Sequence, residues 1–193
     1  MIEYTLIFIV VIIILILIYK SSTFGSTYVR STVDGQNYVV KDVSDKQISA
    51  DLLAKLKKNI MLFCANLKMK KAGEYKEYEQ YIDQLCSRIN DVVIMENINE
   101  DEFTSYSVNK GEQLIFCLHS KTNGKPHELN LLMYVVLHEI AHIACPDYGH
   151  GQLFKQIFGF FVKTAIKLNI YSYINFNQEH VEYCGMTIYD SII

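Results

Sequence analysis

Hydrophobic residues along this chain fall into three kinds of pattern, and each kind predicts a different element. Residues 6–18 form an unbroken run of Leu, Ile, Phe and Val with no polar face. A helix that is apolar all round suits a bilayer better than the flank of a folded domain. Extended to residues 2–19, the run is about 18 residues long and would span about 27 Å, close to the hydrocarbon core of a membrane. Tyr4 and Tyr19 stand at its two ends, where amphipathic rings favour the interface. A cleavable leader is the rival, but Met1-Ile2-Glu3 is acidic where such a leader is basic, and Thr23-Phe24-Gly25 is a poor cleavage site.

The second pattern is helical periodicity. Leu53, Leu56, Ile60, Phe63 and Leu67 recur at spacings of three and four, behind a Ser44-x-x-Gln47 capping box. Residues 66–73 then read as a turn closed by Gly73. A further helix is expected over residues 74–89, with Tyr78, Tyr81, Ile82, Leu85 and Ile89 inward. The chain's two prolines, Pro126 and Pro146, bracket a strongly apolar helix over about residues 128–145. A last helix follows over residues 150–169, with Leu153, Phe154, Ile157, Phe161 and Ile166 on one side.

The third pattern is short and alternating. Residues 33–40 contain an Asp34-Gly35 turn signal and predict a small hairpin. Residues 104–108 and 113–119 read as two strands around Asn109-Lys110-Gly111, while residues 91–103 read as irregular. The tail from residue 170 onward has no firm assignment and is expected to pack as an extended segment. These elements predict an α+β fold, with helices plus a small antiparallel sheet. The expected organisation is a transmembrane anchor at residues 1–20, a Ser/Thr-rich tether at 21–31 and one domain at 32–193.

Composition narrows the function. A chain of 193 residues that is half hydrophobic, with nine Gly and two Pro, is neither a disordered tail nor a collagen-like repeat. A net charge of −3 argues against a general nucleic-acid binder. Lys55, Lys57, Lys58, Lys68, Lys70 and Lys71 nevertheless lie in a stretch without an acid from 52 to 73, and read as the solvated back of an amphipathic helix. Five cysteines, an odd number with no close pair, read as reduced thiols. Lys20 and Arg30 follow the apolar run and Glu3 precedes it, so the positive-inside rule places the domain in the cytosol.

The bracketed helix carries His138-Glu139-Ile140-Ala141-His142. Four residues advance a helix by roughly one turn, so both imidazoles share a face and can reach one zinc ion. Glu139 lies beside the first ligand, placed to take a proton from a metal-activated water. A catalytic zinc needs a third protein ligand. His150 leads, presented after the Pro146–Gly149 turn; Cys145, Asp147, Glu179, His180 and Glu182 are the rivals. His119 and His127 flank the loop before the helix and read as ordinary surface or capping residues, with a substrate contact as the alternative; Tyr183 reads as a packing residue, with oxyanion donation by it or by His180 as the alternative. The strand over residues 113–119 could pair with an extended substrate.

His138-Glu139-Ile140-Ala141-His142 followed by His150-Gly151 and Phe154 resembles the WLM/SprT-like branch of zincin metallopeptidases. Ser105-Tyr106-Ser107-Val108-Asn109-Lys110-Gly111 and Tyr183-Cys184-Gly185-Met186-Thr187-Ile188 resemble the membrane-tethered members of large eukaryotic DNA viruses. The resemblance covers about residues 30–193. It implies a zincin-like domain, Zn²⁺ held by His138, His142 and His150, and Glu139 as general base in peptide-bond hydrolysis. Its implied partners are a protein or peptide substrate and a membrane reached through residues 2–19; nucleic acid is a further partner that the net charge does not support. The alternatives are a zincin-fold binding protein that has lost turnover, and a membrane tether for nucleic acid or protein.

Overall fold

The computed structural model describes residues 4, 7–15, 25–99 and 104–193. Of the predicted anchor, residues 2–19, positions 2, 3, 5, 6 and 16–19 lie outside the described residues. Residues 7–15 are helical with exposed apolar side chains. No helix among the described residues is long and apolar enough to cross a membrane.

Strands β1 (Ser26–Arg30) and β2 (Asn37–Lys41) pair antiparallel around a turn in which Gly35 takes a positive φ. The predicted hairpin is therefore displaced: Ser26–Arg30, read as tether, is a strand. Helix α1 (Lys46–Lys70) follows and buries Leu53, Leu56, Ile60, Phe63 and Leu67, the predicted stripe. It runs through the expected turn at residues 66–70. The capping box does not form, because the N-cap is Asp45 and Gln47 instead bonds the Arg30 carbonyl and Asp51. After a 3-10 turn (Lys76–Tyr78), helix α2 (Glu79–Arg88) buries Ile82 and Leu85.

Strand β3 (Val93–Glu96) arises where an irregular segment was expected. It pairs parallel with β5 (Gln113–Phe116), which also pairs antiparallel with β4 (Tyr106–Val108). The sheet order is β3-β5-β4, so the sheet is mixed and not purely antiparallel. β3 escaped notice because its four residues sit in polar flanks, and a parallel partner leaves no hairpin signal. β5 lies in the middle of the sheet, which removes it as a free edge for an extended substrate.

Helices α3 (Leu129–Ala144) and α4 (Gln152–Lys167) match the predicted spans to within two residues. α3 is buried on nearly every face, between α1, α2, α4 and β4. Phe63 of α1 meets Phe161 of α4 edge-on at 5.2 Å. Gly111 makes the approach of the β4–β5 turn to α3 feasible: with φ +116, an added Cβ there would stand 3.1 Å from Arg88 and 3.3 Å from Ile143.

The tail forms a third hairpin, β6 (Val181–Tyr183) and β7 (Met186–Ile188). A disulfide between Cys117 and Cys184 ties it to the end of β5, which corrects the reading of all five thiols as reduced; Cys64, Cys86 and Cys145 are free and buried. Beside it, His119 is no surface residue. Its Nδ1 bonds Glu96 at 2.8 Å and its Nε2 bonds Asp45 at 3.0 Å, while Glu96 also accepts the Lys41 amide at 2.8 Å. One imidazole thus joins β2, β3, the end of β5 and the start of α1.

The Glu96 hydrogen bond, opposed by burial, raises the pKa of His119. A raised imidazole value stabilises the fold fully below the unfolded value of about 6.5, and that contribution is lost as pH rises through the folded value. Urea unfolding of the native chain should therefore show stability falling with rising pH above about 6.5. His119→Asn should be less stable at pH 6 and show a shallower slope, the remainder coming from Glu139, whose carboxyl burial raises to about 8; an unchanged slope would remove His119 as a source.

Candidate metal centre

Helix α3 ends where its backbone demands. Pro146 cannot continue it, and Cys145 before the proline is extended (φ −78°, ψ 125°). The carbonyls left without intrahelical partners are met from outside. Gln84 of α2 donates to the Ile143 carbonyl at 2.9 Å. Lys110, at the tip of the β4–β5 turn, donates from Nζ to the Cys145 and Pro146 carbonyls, each at 2.9 Å. A cation there also complements the negative end of the helix. Tyr148 lies against the same ammonium at 4.6 Å, and Gly149 takes φ +77° to reverse the chain. His150 emerges from this turn just before α4.

The result is a triangle. The Nε2 atoms of His138, His142 and His150 lie 3.1 Å from one another along all three edges. Phe154 of α4 packs against all three rings, stacked on His142 at 4.2 Å and edge-on to His138 and His150. Phe158 meets His138 edge-on at 5.2 Å.

Three Nε2 atoms cannot satisfy one another by hydrogen bonds. A neutral imidazole nitrogen is either a donor or an acceptor, so among three mutually close ones at least two share a role and oppose each other. Burial, with the neighbouring imidazoles next, drives the His138 pKa down to about 3. Burial, His150 and Lys110 drive His142 down to about 4. Protonation is thus disfavoured, and a divalent cation is the natural relief. Tetrahedral zinc, bonded at about 2.0–2.1 Å, separates its ligand nitrogens by about 3.3–3.4 Å, close to the observed edges. Among the described residues, these three form the single group of His, Cys, Asp or Glu side chains close enough to hold an ion. The rival third ligands do not join it.

Glu139, on the same helix, is 6% exposed, and burial pushes its pKa up to about 8. Its carboxylate accepts no hydrogen bond among the described residues, so its proton affinity is not lowered by a fixed partner. Tyr183 is close enough for the Glu139 charge to raise its pKa, after the larger effect of burial. Its hydroxyl is committed elsewhere: it bonds the Cys117 carbonyl at 3.0 Å and Ser105 Oγ at 2.5 Å. That removes Tyr183 as an oxyanion donor. His127 is buried, with Nε2 taking the Cys184 amide at 3.3 Å. His180 is exposed and stands against Tyr189. Tyr183 and His127 are thus held by other partners, and His180 does not join the group.

The signal missed in the sequence was Lys110. A lysine in an Asn-Lys-Gly turn reads as a solvated loop tip, yet it holds the segment that delivers His150. Lys110→Ala should leave the fold intact and weaken divalent-metal affinity by roughly 10-fold, as loss of an outer support does. Competition titration against a chelator measures it; unchanged affinity would show that the turn holds without the lysine.

No family model matches the chain. Uncharacterized protein R325 of Acanthamoeba polyphaga mimivirus is 36% identical over 174 residues, covering 90% of this chain and 88% of that protein. Uncharacterized protein 136R of Invertebrate iridescent virus 6 is 36% identical over 90 residues, covering 45% of this chain and 50% of its own length. Uncharacterized protein 042R of Invertebrate iridescent virus 3 is 38% identical over 71 residues, 36% of this chain and 43% of its own length. A crystal structure of Wss1 from Saccharomyces cerevisiae aligns over 52% of this chain and 82% of that one, at 15% identity and a TM-score of 0.37.

Proposed function

The chain belongs to the viral family that includes protein R325 of Acanthamoeba polyphaga mimivirus, and we propose that it is a zinc-dependent metallopeptidase, resembling the WLM/SprT-like zincins and anchored in a membrane by residues 2–19. The observation that carries the enzymatic reading is the triangle of three Nε2 atoms with 3.1 Å edges, with Glu139 next in sequence to its first member.

His138, His142 and His150 would hold the ion, each through Nε2. A zinc ion there would bring the pKa of a water molecule near neutrality and polarise a peptide carbonyl. Glu139 takes the proton of the attacking water on its carboxylate and returns it to the amine nitrogen as the peptide bond breaks. Phe154 and Phe158 exclude water from the backs of the rings, so the imidazoles keep their positions. Lys110, through the Cys145 and Pro146 carbonyls, keeps His150 in line with the two helical histidines.

The anchor reading rests on the apolar run and on the exposed side chains of residues 7–15, which leave that surface without a protein cover among the described residues. The positive-inside asymmetry would put the domain on the cytosolic side or inside a virion. Membranes bearing the full chain should retain it through alkaline extraction, and deletion of residues 2–19 should release it. Extraction of the intact chain would remove the anchor.

Elemental analysis of the full chain, purified in detergent without chelators, should find about one zinc per chain, and His150→Ala should lose most of it. Glu139→Gln should retain the zinc and lower peptide turnover by about 10²–10⁴-fold. Zinc without turnover in the native chain would favour a binding protein on this scaffold. A folded chain that takes up no zinc would end the enzymatic reading.

A further inference from the structure

The predicted lysine face changes character once its partners are known. Lys70 and Lys71 pair with Glu74 and Asp83, and Lys57 donates to Gln36. Lys55 and Lys58 make no ion pair among the described residues and lie on the exposed side of α1. Several exposed side chains beside them are apolar. Ile48 is 51% exposed, Leu62 50% and Met69 75%, with Met61 beside them. Ile48, Lys55, Leu62 and Met69 recur every seven residues, which keeps them near one line of a helix.

Acid is nearly absent. Asp51 is the one acidic residue in the 25 residues of α1. Its carboxylate is committed to the Ser31 hydroxyl at 2.7 Å and to the Thr32 amide and hydroxyl at 2.7 and 2.9 Å. A helix face meant only for water mixes both signs of charge and keeps Leu and Met inside. This one carries lysines among exposed apolar side chains, the composition of a helix that lies in a membrane interface.

The chain also delivers this face to a membrane, if residues 2–19 anchor as proposed above. Residues 20–24 reach at most about 18 Å when fully extended. They lead into β1, whose end is joined to α1 through the Ser31 and Thr32 contacts with Asp51. The tether therefore enters the domain through the β1–β2 hairpin, which packs on α1. We infer that the exposed face of α1, centred on Lys55, Lys58, Leu62 and Met69, docks on an anionic lipid surface. The apolar side chains enter the headgroup boundary, and the lysine stems lie along it with their ammonium groups at lipid phosphates. This rests on the membrane reading, but it concerns a different segment and is separable from it.

The test uses the full chain with vesicles of phosphatidylcholine, with and without phosphatidylserine. Co-sedimentation reports attachment, and hydroxyl-radical oxidation of Met61 and Met69 reports cover. Met186, 53% exposed on β7, serves as the internal reference. The expected result is sedimentation with both vesicles, and oxidation of Met61 and Met69 slowed several-fold only where phosphatidylserine is present. The Lys55→Glu, Lys58→Glu double variant should lose the slowing while still sedimenting, and Leu62→Glu should do the same. Sedimentation with both vesicles but no slowing would overturn the docking face and leave the anchor standing. Sedimentation with slowing on anionic vesicles alone would support the face and overturn the anchor. Slowing that grows with protein concentration in detergent, without lipid, would mean that a second copy covers α1 and would overturn the proposal.

Discussion

Three imidazole nitrogens held 3.1 Å apart oppose one another, and much of the domain can be understood as the frame that keeps them there. Two of them come without effort, because a helix returns to the same face after four residues. The third must be brought by a turn, and a turn is where backbone order is cheapest to lose. Here it is restrained from several directions at once. Pro146 ends the helix, Lys110 holds two consecutive carbonyls, Gly149 reverses the chain and Phe154 packs against all three rings. With the metal in place the opposition becomes convergence, so binding would repay some of the strain of assembly.

The same logic explains why α3 is so apolar. A helix that must hold two ligands rigidly is best packed on all sides, and α1, α2, α4 and β4 surround this one. Glu139 is the exception that this packing tolerates. Placed among apolar neighbours with no fixed hydrogen-bond partner, it is a carboxylate whose charge the surroundings do little to stabilise. Residues at structural positions rarely keep that arrangement, because a buried carboxylate costs free energy unless it is paired or protonated. Its natural complement is the region of positive charge that the imidazole triangle is shaped to contain.

What the sequence made legible follows the range of the interactions involved. The stripe of α1, both brackets of α3 and the start of α4 depend on neighbours a few residues away, and all were readable. So was the clustering of His138, His142 and His150, since a helix and one short turn connect them. The unreadable features are pairings across the chain. β3 becomes a strand only because β5 lies beside it, and Asp45 forgoes its helix-capping role because His119 arrives from 74 residues later. The capping box failed for a like reason: Gln47 bonds the Arg30 carbonyl and Asp51, both outside its own helical turn.

Cysteine parity misled in the same way. An odd count without close spacing argues against a disulfide framework, but it is silent about one pair 67 residues apart. In the fold, Cys117 ends the central strand of the mixed sheet and Cys184 sits at the turn between β6 and β7. Their bond fixes the hairpin that carries Tyr183, whose hydroxyl joins Ser105 to the Cys117 carbonyl behind Glu139. The hairpin that carries Tyr183 is therefore tied covalently to the end of β5, whereas the turn that carries His150 is held by hydrogen bonds and ring packing. Disturbance of the domain should reach the turn of His150 before it reaches the hairpin of Tyr183.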